Sequence, residues 1–528
     1  MAGAPRALIE HYPPAPGAVR SERYRVTVDG EPVFVERDRE VAYARLAIGG
    51  AVELEIQAPC AITRFQLIPA AACAAATATG DRLRVTLRGP AHLVVLLADT
   101  PDRLFVLADP LDHDRPAIGA PDVVTAVDHG ADPTGAVLAT AALQRAIDAL
   151  ASRAGGGTLV LEAGAYRSGT LQLRSRVQLY LAPGAVLRGS RDPADYPVDP
   201  GRRELGSDPR IEPPDRRYLG EHMTFSRLIL VDGAHDVQIR GRGTIDGDGS
   251  YLRKTCGAVP NLIRVRDSER VAIRDVLLRD AAAWSLHLLR SRELAISNVK
   301  IINDRSNLNT DGIDPDSVRR VVIDRAFIYT KDDGIAIKAS NNGDLLDDVS
   351  DVTVRDSVIS SVDAAIKIGS ETRAARFASI TFDNIDVFDS DRAMSVVVRD
   401  GARLEDITFT RIRVAGWIHH LIEQVIGDRA GGAAGLGQIE RLRFDDITAP
   451  DYHPPASNWT WYAQYRPERP PAGAAAVPVF AGADPDHAVR GLTLRNLRVR
   501  GIALRDATAC AEVAGLTIGP HVHDVTFE

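Results

Sequence analysis

The sequence predicts an all-β molecule, a right-handed parallel β-helix preceded by a small β-sandwich. Three observations carry this. Short apolar–x–apolar segments recur from Val237 to Leu492 as VQI, VAI, LAI, VVI, VTV, ITF, ITF, LRF and LTL. Most are followed by a polar pair and another apolar residue, as in RDV, SNV, DNI, TRI, DDI and RNL. Helical periodicity is nearly confined to one segment, TAALQRAIDALASRA, from Thr140 to Ala154.

The repeats are spaced 23 residues apart from Val271 to Leu294, 27 or 28 in several places, and 35 from Ile407 to Leu442. An irregular all-β period in this range means coils stacked into a prism, because one coil cannot bury its apolar face alone. The variation in spacing then falls in loops between strands. A β-propeller would need a more regular blade period, and a sandwich could not absorb nine repeats.

At 528 residues the chain exceeds one ordinary core. Residues from Tyr24 to Pro110 form short alternating runs separated by turn pairs such as Asp29-Gly30 and Gly49-Gly50, which reads as the sandwich. The polar stretch DPLDHDRPAIGAPD marks the boundary, giving a sandwich over 1–115 and a β-helix over 116–528. The Thr140 helix, ended by Gly155 to Gly157, would cap the first coil against water and edge pairing.

Hydrophobic residues make up 45% of the chain and charged residues 25%, a globular composition. The net charge of −8 argues against a nucleic-acid partner, which would need a basic face. Four scattered cysteines lack zinc-ligand spacing and are expected to be reduced and buried. The start, MAGAPRALIEHYPPAPG, has no continuous apolar region, so neither a signal peptide nor a membrane partner is expected, and the location expected is cytoplasmic. His419, His420 and Glu423 superficially resemble metal ligands, but adjacent histidines on a strand point to opposite faces. No metal and no cofactor is expected. A homo-oligomer is compatible with the sequence, which sets no oligomeric state.

The chemistry concentrates in NTDGID (Asn309 to Asp314) and KDDGIAIK (Lys331 to Lys338). An isolated TDG or DDG is ordinarily a turn. Here Asp311 and Asp332 are 332 − 311 = 21 residues apart, about one coil. Strands of neighbouring coils lie ~4.8 Å apart, which brings Asp311 close to the Asp332–Asp333 pair. Three carboxylates that close cannot all ionise freely, so at least one pKa must rise. One carboxyl as acid and another as base is what glycoside hydrolysis requires.

Residues from about Val123 to Val414 resemble glycoside hydrolase family 28, the polygalacturonase-like enzymes with a pectin-lyase-like β-helix. The resemblance is carried by DHGADPTG, the Thr140 helix, GGGTLVLEAGAYRSG, VQLYLAPGAVLRGS, GTIDGDG, NTDGIDP and DDGIAIK. The sandwich-before-helix layout is also similar to the dextranases of family 49. The resemblance implies Asp332 as general acid, with Asp311 and Asp333 activating a water and inverting the anomeric carbon. Polygalacturonases carry Gly-His-Gly after the Asp pair and Arg-Ile-Lys one coil later. This chain reads SSVDAAIKIGSET, with Asp363 at the histidine position, and then DRAMSVVVRDG. Arg and Lys are the natural grips for a uronate. Their absence from those places points to a neutral or otherwise non-galacturonate sugar, or to a uronate held differently.

Candidate substrate contacts are Lys338, Asp363, Lys367, Glu371 and Arg392 beside the acids, and His287 and Trp284 one coil earlier as a subsite wall. Trp459 and Trp461, in ASNWTWYAQYRPERPP, offer aromatic faces for sugar rings. The expected partner is a carbohydrate, and a cytoplasmic hydrolase would act from the end of short imported chains. Two alternatives stand beside hydrolysis. One is a β-helix polysaccharide lyase using a Lys or Arg base. The other is a glycan-binding β-helix without activity.

Overall fold

The computed structural model describes residues 8–197, 226–340, 348–428, 435–450 and 479–528. The N-terminal strands form a six-stranded and a five-stranded sheet that close over one core containing Val26, Leu54, Leu83, Val95 and Val106. Pairing is antiparallel except between Arg103–Pro110 and Val41–Ile48, which run parallel.

From Val123 onward the chain coils. A 24-stranded and a nine-stranded sheet run the length of the prism, their strands pairing from coil to coil almost entirely in parallel. The recurring segments seen in the sequence stack in register. Ile239, Ile273, Ile296, Ile323, Val354, Phe382, Phe409, Phe444 and Leu494 form one continuous interior row. Its phenylalanines are parallel, with Phe382 to Phe409 at 4.8 Å and Phe409 to Phe444 at 5.0 Å.

The polar pair after each segment is explained by the corner it makes. Asp275, Asn298, Asn384, Asp446 and Asn496 all have φ between 49° and 72°. Asp and Asn tolerate this left-handed region better than other side chains, so each marks a sharp bend between two strands. The helix spans Thr140–Ala151, three residues shorter than its pattern, and buries Leu143, Ile147 and Leu150 against the first coils.

Sequence periodicity treats the sandwich as separate, yet its outer face packs firmly on the prism. Tyr43, Val94 and Phe105 join Phe327, Tyr329, Val358 and Phe388 in a shared cluster. The fully buried Lys300 ammonium donates to Asp109 at 2.8 Å across this junction. No helix among the described residues is long and apolar enough to cross a membrane. The cysteines depart from expectation: Cys510 is buried, but Cys60 and Cys73 are half-buried and Cys256 is exposed. Cys60 lies in a bend of the sandwich, Cys73 at the start of its strand Cys73–Thr79, and Cys256 at the end of the helical segment Leu252–Cys256, all away from the core that the composition suggested.

Candidate active site

The acids sit where the turn ends and the strand of the nine-stranded sheet begins. Ile313 pairs with Ile335, so Asp311 stands beside Asp333, 333 − 311 = 22 residues on, and Asp332 lies one step earlier. One carboxylate oxygen from each of Asp311, Asp332 and Asp333 lies within 4.8 Å of the others.

The glycine after each acid has a steric reason. A Cβ on Gly312 would meet the Gly334 carbonyl oxygen at 2.3 Å, and one on Gly334 would meet the Ala365 oxygen at 2.5 Å. Successive coils therefore close directly behind the acids, and only glycine fits. Asn303 secures the turn before Asp311: its amide donates to Ser285 Oγ at 2.8 Å and Thr330 Oγ1 at 3.2 Å.

The three acids have different surroundings. Asp332 is the half-exposed one and accepts from the backbone N–H groups of Asn309 at 3.3 Å and Asp333 at 3.0 Å. Asp311 is 2% exposed and Asp333 4%. Burial pushes Asp311 well above the ordinary carboxylate range, with Asp314, Asp332 and Asp333 adding to the rise and Lys338 opposing it. Burial would also raise Asp333, but Lys367, Lys338 and Arg392 hold it below its ordinary value.

A fourth acid, Asp314, completes the cluster. It lies in the quoted NTDGID stretch but passes there for a turn residue, whereas its strand position turns it to the face shared by Lys338. Lys338 Nζ lies 3.0 Å from Asp311 and 2.8 Å from Asp314. One ammonium between two buried carboxylates leaves the pair one charge short of balance. Asp314 is accordingly pushed up to about 6, chiefly by burial.

Several expected substrate contacts are instead internal to this cluster. Lys338 is buried and lies 4.3 Å above the Trp284 ring, so it anchors carboxylates and does not face a sugar. Lys367 Nζ donates to Asp333 at 2.8 Å. Arg392 pairs with Asp363 and, at 3.2 Å, with Glu423. Glu371 is half-buried, and its charge acts on Lys338 and Lys367. His287 is not a subsite wall: it is 2% exposed, and its Nε2 lies 3.0 Å from Asp316 Oδ2. Trp284, 7% exposed, packs edge-on to His287 beneath Lys338. Of the subsite-wall and buried roles open to both in the sequence, the structure shows both buried, with Lys338 over the Trp284 ring. Trp459 and Trp461 lie outside the described residues.

Arg253 went unseen in the sequence because it sits in a short helical excursion outside the coil rhythm. Its Nε donates to the Ala282 carbonyl at 2.8 Å, its Nη2 is buried without a hydrogen-bond partner, and the Asp332 charge acts on it.

Comparison with known proteins places this geometry. The model of glycosyl hydrolases family 28 matches residues 219–346, the span that carries Asp311, Asp332 and Asp333. The resemblance is to family 28. A probable polygalacturonase of Vitis vinifera is 32% identical over 225 residues, which cover 40% of this chain and 43% of that protein. The chain thus spans less than half the length of this curated relative. A family 28 exopolygalacturonase of Yersinia enterocolitica shares the fold with a TM-score of 0.56 at 16% identity, covering 91% of this chain and 94% of that one. Dex49A of Penicillium minioluteum has a TM-score of 0.63 at 12% identity, covering 97% and 96%. Sandwich and prism together therefore match the layout of solved proteins. The segment matched by the family 28 model and the relatives support a glycosidase.

The raised proton affinity of Asp314 gives a stability signature. Asp314 binds its proton more tightly folded than unfolded, so between its ordinary 3.8 and about 6 the native state holds more protons. Stability contributed by this group is present below that window and is lost as pH rises through it. Urea midpoints of the wild type should fall from pH 4 to pH 6 relative to those of Asp314→Asn. A difference that is flat across the window would contradict the raised proton affinity of Asp314.

Proposed function

We propose that the protein is an inverting glycoside hydrolase acting on a neutral oligo- or polysaccharide. The observation that supports hydrolysis is the cluster Asp311, Asp332 and Asp333, one acid half-exposed and two buried with opposed proton affinities. Asp332, reachable from solvent, is the proton donor to the leaving oxygen. Asp333, kept ionised by Lys367, is the base on the attacking water. Asp311, whose proton affinity is raised by burial and by the charge of Asp314, orients that water.

The oxygens of the three acids approach more closely than the ~6.5–9.5 Å typical of a two-carboxylate inverting site. The division of the base side between two acids supports inversion. Asp311 and Asp333 are each tied to a lysine, which suits holding a water better than forming a covalent bond to sugar. A lysine-base lyase is disfavoured by the same contacts. Lys338 and Lys367 are both held above their ordinary pKa by these carboxylates, against the effect of burial, whereas a general-base lysine needs the opposite.

The neutral substrate is supported by the fate of the cations beside the acids. Lys338, Lys367 and Arg392 are each committed to carboxylates of the site. A second reading has its own observation. The unpartnered Nη2 of Arg253 could take a uronate carboxylate, and the relatives named polygalacturonase agree with that.

A panel of neutral oligosaccharides and oligogalacturonates, assayed for released reducing ends with wild type and Arg253→Gln, separates the two. We expect turnover of a neutral glycan, little changed in Arg253→Gln. Turnover confined to galacturonates, weakened about tenfold or more by Arg253→Gln as a lost charge-assisted hydrogen bond would produce, overturns the neutral assignment.

A further inference from the structure

The turn Asp38–Arg39–Glu40 is the tip of a sandwich hairpin in which Asp38 pairs with Val41, leaving Arg39 and Glu40 as the loop. Arg39 reaches out of the sandwich onto the prism. Its Nη2 lies 2.8 Å from Asp280 Oδ1 and donates to Ser250 Oγ at 3.0 Å, and its Nε lies 3.3 Å from Asp304 Oδ2. Lys254 grips the same acid: its Nζ donates to Asp304 Oδ2 at 2.8 Å and to Ser306 Oγ at 2.7 Å. Burial would raise Asp304, but Lys254, Ser306 and Arg39 hold it below its ordinary value, so it meets both cations as an anion.

Asp304 opens the turn that runs into the catalytic acids. Its Oδ1 accepts from the Ser306 N–H at 2.8 Å and Oγ at 2.6 Å, and its carbonyl accepts from the Asn307 N–H at 3.0 Å. The Asn307 amide also donates to Ser250 Oγ, the atom that Arg39 contacts, at 3.0 Å. At the far end of the turn Thr310 Oγ1 donates to the Asn307 carbonyl at 2.9 Å, and the Asn309 N–H donates to the Asp332 carboxylate at 3.3 Å. Glu40 braces the same turn through Tyr329, accepting from its hydroxyl while the Arg305 guanidinium lies 3.9 Å from the centre of that ring. An unbroken set of contacts therefore joins the hairpin tip to Asp332. Its first links are charge-assisted, the strong kind of hydrogen bond.

We propose that Arg39 of the sandwich is a positioning residue for the proton-donation step: with Lys254 it fixes Asp304, Asp304 fixes the turn, and the turn sets the Asn309 N–H against Asp332. The sandwich then belongs to the working active site, because a carboxyl misplaced by about 1 Å can cost a large part of the rate. Arg39 touches Asp280, Ser250 and Asp304 and none of the three catalytic acids, so it acts through the turn. The kinetic role rests on the reading of Asp332 as proton donor; the hold on the turn does not.

The test compares the full chain with Arg39→Met, Arg39→Lys, Asp332→Asn and the double variant Arg39→Met with Asp332→Asn. Amide hydrogen exchange is read on peptides covering 303–311, and steady-state kinetics on the oligosaccharide that the wild type cleaves and on the p-nitrophenyl glycoside of the same sugar. In Arg39→Met we expect exchange in the turn to quicken at least tenfold, while peptides of the sandwich core around Leu54 and Leu83 stay unchanged. On the oligosaccharide kcat should fall about tenfold with KM within about twofold. The p-nitrophenyl glycoside, which needs little protonation, should lose less than twofold, and Arg39→Lys should recover part of the rate. With Asp332 already replaced, Arg39→Met should add less than a further twofold, since residues acting through one group are not additive. If Arg39→Met does not fold, Asp280→Asn is added to remove the carboxylate left without its arginine. Overturning results are unchanged exchange in the turn, kcat within about twofold of wild type, equal losses on the two substrates, or losses that multiply with Asp332→Asn. Wild-type activity in Asp332→Asn would instead remove the proton-donor reading, and the kinetic role of Arg39 with it, while faster exchange in Arg39→Met would still show the hold on the turn.

Discussion

Asp332→Asn is expected to lower kcat/KM on the cleaved glycan by about 10²–10⁴, the usual contribution of a positioned general acid. Asp332 is the half-exposed member of the trio, so its loss should leave the fold intact: of the two backbone N–H groups that its two oxygens accept, an asparagine oxygen still accepts one. Thermal unfolding close to wild type, together with the rate loss, would assign the effect to chemistry. Activity within a few-fold of wild type would remove Asp332 from the reaction. A substrate with a good leaving group, such as an aryl glycoside, should recover much of the loss, since it needs little protonation.

The second large effect is on stability. Lys338→Met is expected to cost about 3–5 kcal/mol, the penalty of removing one partner from a buried ion pair. Lys338 is buried between Asp311 and Asp314, and its loss would confront two interior carboxylates with no ammonium. Urea denaturation reads the change, and the loss should be smaller at pH 4, where the two acids can both hold protons. A loss under about 1 kcal/mol, or one independent of pH, would mean that Lys338 does not neutralise the cluster.

Much of the scaffold was legible because one physical constraint repeats. Every coil must place an apolar pair inward and bend sharply afterwards, so the row from Ile239 to Leu494 and the left-handed Asp and Asn corners write themselves into the sequence. The closeness of Asp311, Asp332 and Asp333 followed from the same coil length. Side-chain burial on the outer face carries no such period. His287 and Trp284 share the face of the acids but are buried, Trp284 under Lys338 and His287 against Asp316, which only the packed structure reveals. Asp314 was hidden by its neighbours, since a second acid in a DG turn looks like punctuation. Arg253 and the Asp38–Glu40 turn reach their places through excursions and through the docking of the sandwich, and neither leaves a repeat to read.

The central claim, that the trio directs a water onto the sugar in one displacement, is tested most directly by proton NMR of the first products. On a glycan that the wild type cleaves, the newly formed reducing end should appear first with the anomeric configuration opposite to that of the broken bond, before mutarotation mixes the two. First products that retain the original configuration would show a covalent intermediate and contradict the assignment of Asp311 and Asp333 to a water.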